Sequence, residues 1–295
     1  MEVENEMGNK SKSIVEKFLS YFLALSIATS PFVAPRIASC KEKPYPPHKI
    51  ELKKGNSLYS YKEPGIMEIK GKMESFGLSY NYEPKKKGWT AGVNGSYAIG
   101  KLDYTSEKTG SMDNRKNTIK EIEPKLGYKI PFGESSTFTP YIGIGYRKLE
   151  DKASGRTCSV KDKTYHGYDR KNESCSAIFG AKIKTETNSG WVYGIDLKAK
   201  LLVRGKQISS FNDFDPTYPQ VTNIQREGGG LKASAKIGKK TKLGTFFIEP
   251  YFEVLMVKCS KPAYATIRMG DKSVNPVYEP GNRTYMGGVN LALEF

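Results

Sequence analysis

The feature that most narrows the choice of fold is an alternation of period two, repeated in segments of about ten residues. From Lys120, Ile122, Leu126, Tyr128 and Ile130 fall on one side, and Glu121, Glu123, Lys125 and Lys129 on the other. Phe138, Ile142, Ile144 and Tyr146 alternate with Thr139, Tyr141, Gly143, Gly145 and Arg147. Trp191, Tyr193, Ile195, Leu197, Ala199 and Leu201 alternate with Gly194, Asp196, Lys198 and Lys200. Near the end Phe246, Ile248, Phe252 and Val254 oppose Glu249 and Glu253, and Tyr285, Val289, Leu291, Leu293 and Phe295 oppose Asn290 and Glu294. Successive side chains of a strand point to opposite faces, so this is the pattern of an all-β, antiparallel chain with one apolar and one polar face. Helical periodicity nearly vanishes after a Pro/Lys-rich stretch from Lys41 to Lys54.

A sandwich alternates too, and two features separate it from a barrel in lipid. The polar face carries charges at mid-strand, while the apolar face is rich in Tyr and Trp near the segment ends. The connections also alternate in length. Short ones near Pro84–Gly88, Phe132–Ser136, Thr187–Gly190 and Lys239–Lys242 alternate with long polar ones near Ser106–Asn117, Asp151–Ser174, Ser209–Arg226 and Ser260–Val277. Outer-membrane barrels have short periplasmic turns and long extracellular loops. With 38% hydrophobic residues and a mean hydropathy of −0.55, no run beyond the first forty residues could span a bilayer as a helix.

The last segment, YMGGVNLALEF, resembles the C-terminal signature of bacterial outer-membrane β-barrel proteins, a terminal aromatic with apolar residues at alternate positions upstream. The resemblance implies that Phe295 is an assembly signal read by the barrel-assembly machinery. Residues Glu123 to Leu149 (EPKLGYKIPFGESSTFTPYIGIGYRKL) resemble a hairpin common in small barrels of this group, and the likeness runs from about residue 60 onward. The implied fold is an antiparallel transmembrane β-barrel. Nine strands are evident, near 68–83, 89–104, 118–131, 136–150, 174–187, 190–204, 227–238, 243–258 and 279–295. Bacterial single-chain barrels have even strand numbers. A tenth strand is therefore expected within Ile50 to Lys62, ending at Glu63-Pro64-Gly65, with eight strands the alternative.

The apolar run Phe18 to Ala34, preceded by Lys10, Lys12 and Lys17, has the plan of a secretory signal peptide, which assigns residues 1–39 to the signal, 40–55 to a periplasmic linker and 56–295 to the barrel. Ile37-Ala38-Ser39-Cys40 resembles a lipobox, making Cys40 a candidate for lipidation. Export places Cys158 and Cys175 in an oxidising compartment, where a disulfide closing the outer loop between them is expected.

Glu121, Glu123, Arg147, Lys182, Asp196, Lys198, Glu249 and Glu253 are expected to face the lumen, with Lys184 and Lys200, as cross-strand ion pairs. A packed polar core then competes with a narrow, porin-like channel. Catalysis is not expected. His48 falls in the linker and His166 in a loop. The omptin family of ten-stranded surface proteases has Asp pairs and an Asp–His pair at the barrel mouth. Asp103, Asp213 and Asp215 are superficially suitable here, but His166 has no acid in such a spacing, and no strand is expected to carry a His. No metal site or cofactor is expected. The net charge of +16 stays with the exported portion, because basic and acidic residues balance up to Ser39. It points to phosphate-rich lipopolysaccharide in the outer membrane rather than to nucleic acid. Loop aromatics Tyr165, Tyr168, Phe211, Phe214 and Tyr218 would suit host surface molecules.

Overall fold

The computed structural model describes residues 47–265, 267–269 and 272–295, with the backbone alone at 267–269 and 272–274. They belong to one compact unit, Tyr45–Phe295. Ten antiparallel strands close on themselves: β1 (His48–Glu63), β2 (Met67–Tyr82), β3 (Gly88–Ser106), β4 (Gly110–Phe132), β5 (Ser136–Lys152), β6 (Arg170–Glu186), β7 (Trp191–Ser210), β8 (Gly228–Lys240), β9 (Thr245–Val257) and β10 (Asn282–Glu294). A further strand, Gln220–Gln225, pairs with the outer half of β7 and prolongs β8 beyond a break at Arg226 and Glu227. The barrel closes by pairing β10 with β1, from Glu51↔Glu294 to Lys62↔Arg283. Phe295 sits at the foot of that seam: its N–H donates to the Ile50 carbonyl at 2.9 Å, and the Ile50 N–H donates to its carbonyl at 3.3 Å.

The alternation decides which residues face out. Leu58, Leu78, Leu126, Ile142, Leu197, Leu231, Ile248 and Leu291 are all exposed and form an apolar exterior belt. A continuous belt of this size would aggregate in water and is matched by hydrocarbon. Trp89 and Trp191 open β3 and β7, meeting Tyr128 edge-on at 5.3 Å and Tyr193 stacked at 6.5 Å. These rings sit at the end bearing the short turns 83–87, 133–135, 187–190 and 241–244, which by the outer-membrane pattern is the periplasmic end. The opposite end bears the longer connections 153–169, 211–219 and 258–281.

Several boundaries differ from those read in the sequence. Residues 48–55, assigned to a linker, are the first half of β1. Lys53 and Lys54 obscured this strand because one faces the lumen and the other lies outside, 5.8 Å from the Phe76 ring centroid. His48 is therefore a strand residue, as is His166 at the end of a small hairpin, Thr157–Val160 with Lys163–His166. The stretch Ser106–Asn117 is no long loop, since only 107–109 connect β3 and β4. β4 has 23 residues, about twice the 9–11 that a strand needs to cross a membrane. Past the bilayer its outward face meets water while Met112, Arg115 and Asn117 stay buried inside, so the sequence there loses its apolar exterior while the pairing continues. Part of Ser209–Arg226 is strand for the same reason. Cys40 and the segment 1–39 lie outside the described residues.

Candidate functional site: a charge-filled lumen

Inward-facing side chains fill the barrel in tiers. Nearest the periplasmic turns, Lys49 pairs with Glu83 at 2.8 Å and with Glu294 at 3.6 Å, while Lys182 reaches Glu83 at 3.4 Å. Lys184 joins this tier through Glu186 at 2.8 Å. Above it, Lys53 bonds Glu249 at 2.7 Å and Glu51 at 3.1 Å, and Lys236 bonds Glu51 at 2.5 Å. The Tyr141 hydroxyl donates to Asp196 at 2.6 Å beside them. The central tier joins Lys198 to Glu123, and Lys200 to Glu123 at 3.1 Å and Glu253 at 2.7 Å. Arg147 Nε stands 3.5 Å from Glu121 Oε1, held by charge rather than by a hydrogen bond. An apolar patch of Tyr59, Ile69, Met73, Leu102, Ile119 and Met286 covers one interior wall.

These pairs join strands that are far apart in sequence and on different walls. Lys198 on β7 reaches Glu123 on β4, and Lys53 on β1 reaches Glu249 on β9. The side chains therefore cross the lumen. What remains between tiers is a set of small cavities of about 90, 100 and 130 Å³. All eight lumen charges named from the sequence project inward, and seven enter ion pairs, Asp196 being held by Tyr141. The sequence reading missed Lys49, Glu51, Glu83, Lys232 and Lys236, although Lys49, Glu51 and Lys53 alternate with Ile50 and Leu52, a usable signal.

The outer mouth has its own polar closure. Arg115 and Asp151 pair across β4 and β5, with Arg115 Nε donating to Asp151 at 3.1 Å and the Asn117 amide donating to the same carboxylate at 3.1 Å. Arg170 bonds Glu63 at 2.7 Å and also Glu279, which comes from the connection 258–281. Burial lifts the Glu279 carboxyl to about 7 against the pull of Arg170, and Glu63 adds to the rise. Above this pair, Phe211, Val221, Tyr168, Phe214, Tyr218, Ala263 and Val277 form an apolar cap. Within the connection Ala263 and Val277 pair, each N–H donating to the other's carbonyl at 2.9 Å, and the Lys261 N–H ties it to the barrel by donating to the Ile224 carbonyl at 3.0 Å.

Cys158 and Cys175, expected to be bonded, are both free thiols. The small hairpin turns the Cys158 sulfur onto the Thr109 carbonyl at 2.8 Å, whereas Cys175 stands in β6 between Tyr146 and Arg204. The catalytic candidates are scattered. Asp103 is an exposed β3 residue that accepts the Asn114 N–H at 2.8 Å, Asp213 accepts the Asp169 N–H at 2.8 Å, and Asp215 accepts from Thr217. His48 meets the Tyr80 hydroxyl at 2.6 Å at the periplasmic end, and His166 is exposed in the hairpin. Among the described residues neither histidine is hydrogen-bonded to a carboxylate, and no group of three metal-binding side chains occurs.

No family model and no curated protein matches the chain. Among solved structures, the outer membrane protease OmpT of Escherichia coli is similar at 10% identity and a TM-score of 0.55, over 84% of this chain and 96% of that one. The translocator domain of the autotransporter NalP of Neisseria meningitidis follows at 11% identity and 0.40, over 86% and 90%. The attachment invasion locus protein Ail of Yersinia pestis gives 11% and 0.30, over 84% and 98%. At these identities the likeness to OmpT concerns the fold alone. Ten strands, a closed seam, an apolar exterior belt and that likeness make the chain an outer-membrane β-barrel.

Proposed function

We propose that this barrel is occluded and non-catalytic, serving as a structural or surface-interaction protein of the outer membrane. The observation that carries the reading is the set of ion pairs crossing the lumen at successive levels, from Lys49–Glu83 through Lys53–Glu249 to Lys200–Glu253. Paired buried charges resist removal, because breaking one leaves its partner desolvated. An ion entering the barrel would have to displace them tier by tier. A small-solute channel is the second reading, favoured by the cavities stacked between the tiers. Planar-bilayer recording of the refolded protein separates the two: the occluded barrel gives no conductance steps, and regular steps would replace this reading with the channel. An omptin-like hydrolase receives no support from the two histidines, since among the described residues neither His48 nor His166 is hydrogen-bonded to a carboxylate. Peptide cleavage abolished in a His166→Ala variant would reinstate it.

A further inference from the structure

Four lysines stand in register on four adjacent strands. Lys72 of β2 faces Lys101 of β3, Lys101 faces Lys116 of β4, and Lys116 faces Lys152 of β5. Four residues nearer the membrane, past the pair Thr118 and Glu150, Lys120 faces Lys148. These positions are on the exterior face, since Met73, Leu102, Arg115 and Asp151 beside the four are buried on the interior side. They lie just beyond the apolar belt: Lys101 is four residues above exposed Tyr97, Lys120 is two above Ile122, and Lys148 is two above Tyr146.

Like charges directly opposite each other on a sheet are destabilising, so a row of four calls for compensation. The protein supplies little. Lys152 bonds Asp169 at 2.6 Å, Lys148 bonds Glu150 at 2.6 Å, and Lys120 lies over the Tyr97 ring at 5.9 Å. Lys72, Lys101 and Lys116 have no ion-pair or hydrogen-bond partner among the described residues. Glu74 is exposed nearby without such a bond, and Asp103 is held by the Asn114 backbone. Elsewhere on the rim several cations have acids beside them, as in Lys62–Glu68, Lys171–Glu173 and Lys258–Glu227, while Arg204 and Arg283 stand singly without an ion pair among the described residues. What sets this side of the barrel apart is four lysines in direct register just beyond the apolar belt, three of them without a partner among the described residues.

We propose that Lys72, Lys101, Lys116 and Lys152 form a binding face for the phosphate groups of an anionic glycolipid in the outer leaflet, with the apolar belt below holding its acyl chains. Lysine serves as a point-charge partner for phosphate, and basic residues at a membrane surface add attraction roughly one by one. The proposal rests on the outer-membrane reading of the fold and is independent of whether the lumen conducts, because binding and conductance are read in separate assays.

The test compares the refolded full chain with a variant carrying Lys72→Gln, Lys101→Gln, Lys116→Gln and Lys152→Gln. A control carries Lys62→Gln, Lys171→Gln, Lys258→Gln and Arg283→Gln, removing the same charge from the rest of the rim. Each is titrated in detergent with diphosphorylated lipid A, with its dephosphorylated form and with inorganic phosphate. Binding of diphosphorylated lipid A is expected to weaken at least about tenfold in the row variant and less than about twofold in the control. The dephosphorylated form and inorganic phosphate are expected to bind the native chain at least about tenfold less well. Equal binding by the row variant, an equal loss in the control, or inorganic phosphate binding as well as the glycolipid would overturn the proposal. Heat-modifiable gel migration reports folding. Should the row variant not fold, the pair Lys101→Gln/Lys116→Gln is expected to show the same selective loss, and its absence there counts equally against the proposal.

Discussion

At the scale of single residues, the buried pairs set the sharpest expectations. The Arg115 and Asp151 side chains are only 5% and 2% exposed, so replacing Arg115 with Leu strands a carboxylate whose remaining bond is to Asn117. Removing one member of such a pair costs about 3–5 kcal/mol, which urea unfolding of the refolded barrel should register. Glu279 gives a pH expectation. Its carboxyl is raised to about 7 in the folded protein, above its unfolded value, so the folded state binds the proton more tightly. Docking of the connection 258–281 is therefore strongest below about pH 5. It weakens as the pH rises toward 7 and levels off above. Arg170, Glu63 and Tyr61 face the group from β1 and β6, and Tyr168 shares the apolar cap with Ala263 and Val277 of the connection, but among these groups the pair with Arg170 is the one that changes charge with Glu279. Proteolysis of the connection should quicken between pH 5 and 7, and Glu279→Gln should flatten that dependence.

At the scale of elements, the alternation made most strands and their inward faces legible before any coordinates, because a period of two is a local property. The strand β1 was faint, because Lys53 and Lys54 read as an interruption until the partners Glu249 and Glu51, the former some two hundred residues away, were known. The upper part of β4, residues 110–117, was illegible for the opposite reason: above the bilayer no apolar exterior is required, and the pairing leaves no hydrophobic trace. The ion-pair partners across the lumen were out of reach as well, since alternation states which side a residue faces and not which wall it meets. Packing between strands is close at Gly180 of β6, where an added Cβ would stand 2.3 Å from the Tyr141 ring and 2.7 Å from the Leu197 carbonyl. Gly180→Val should push Tyr141 away from Asp196 and destabilise the barrel by about 1–3 kcal/mol, measured by the temperature at which gel migration shifts to the unfolded position.

At the scale of the whole molecule, the charge tiers tie walls together that the strand ladders do not connect directly. If they are what blocks the lumen, thinning them should open it. A variant with Glu51→Ser, Lys53→Ser, Lys236→Ser and Glu249→Ser removes one tier without leaving an unpaired charge among these four. Adding Glu123→Ser, Lys198→Ser, Lys200→Ser and Glu253→Ser removes the next. Conductance should remain absent with one tier gone and emerge when both are removed. Steps of equal size in the native protein and the second variant would show that the tiers do not gate passage.

The seam between β10 and β1 also governs how the molecule can be made. Its two edges lie more than two hundred residues apart in the chain, so ring closure must await the arrival of residues 282–294. A chain halted before them would present β1 and β9 as two bare edges, each patterned to accept a strand. Its ready way of satisfying them is to exchange strands with another such chain, so premature release during synthesis would yield joined multimers rather than a smaller barrel.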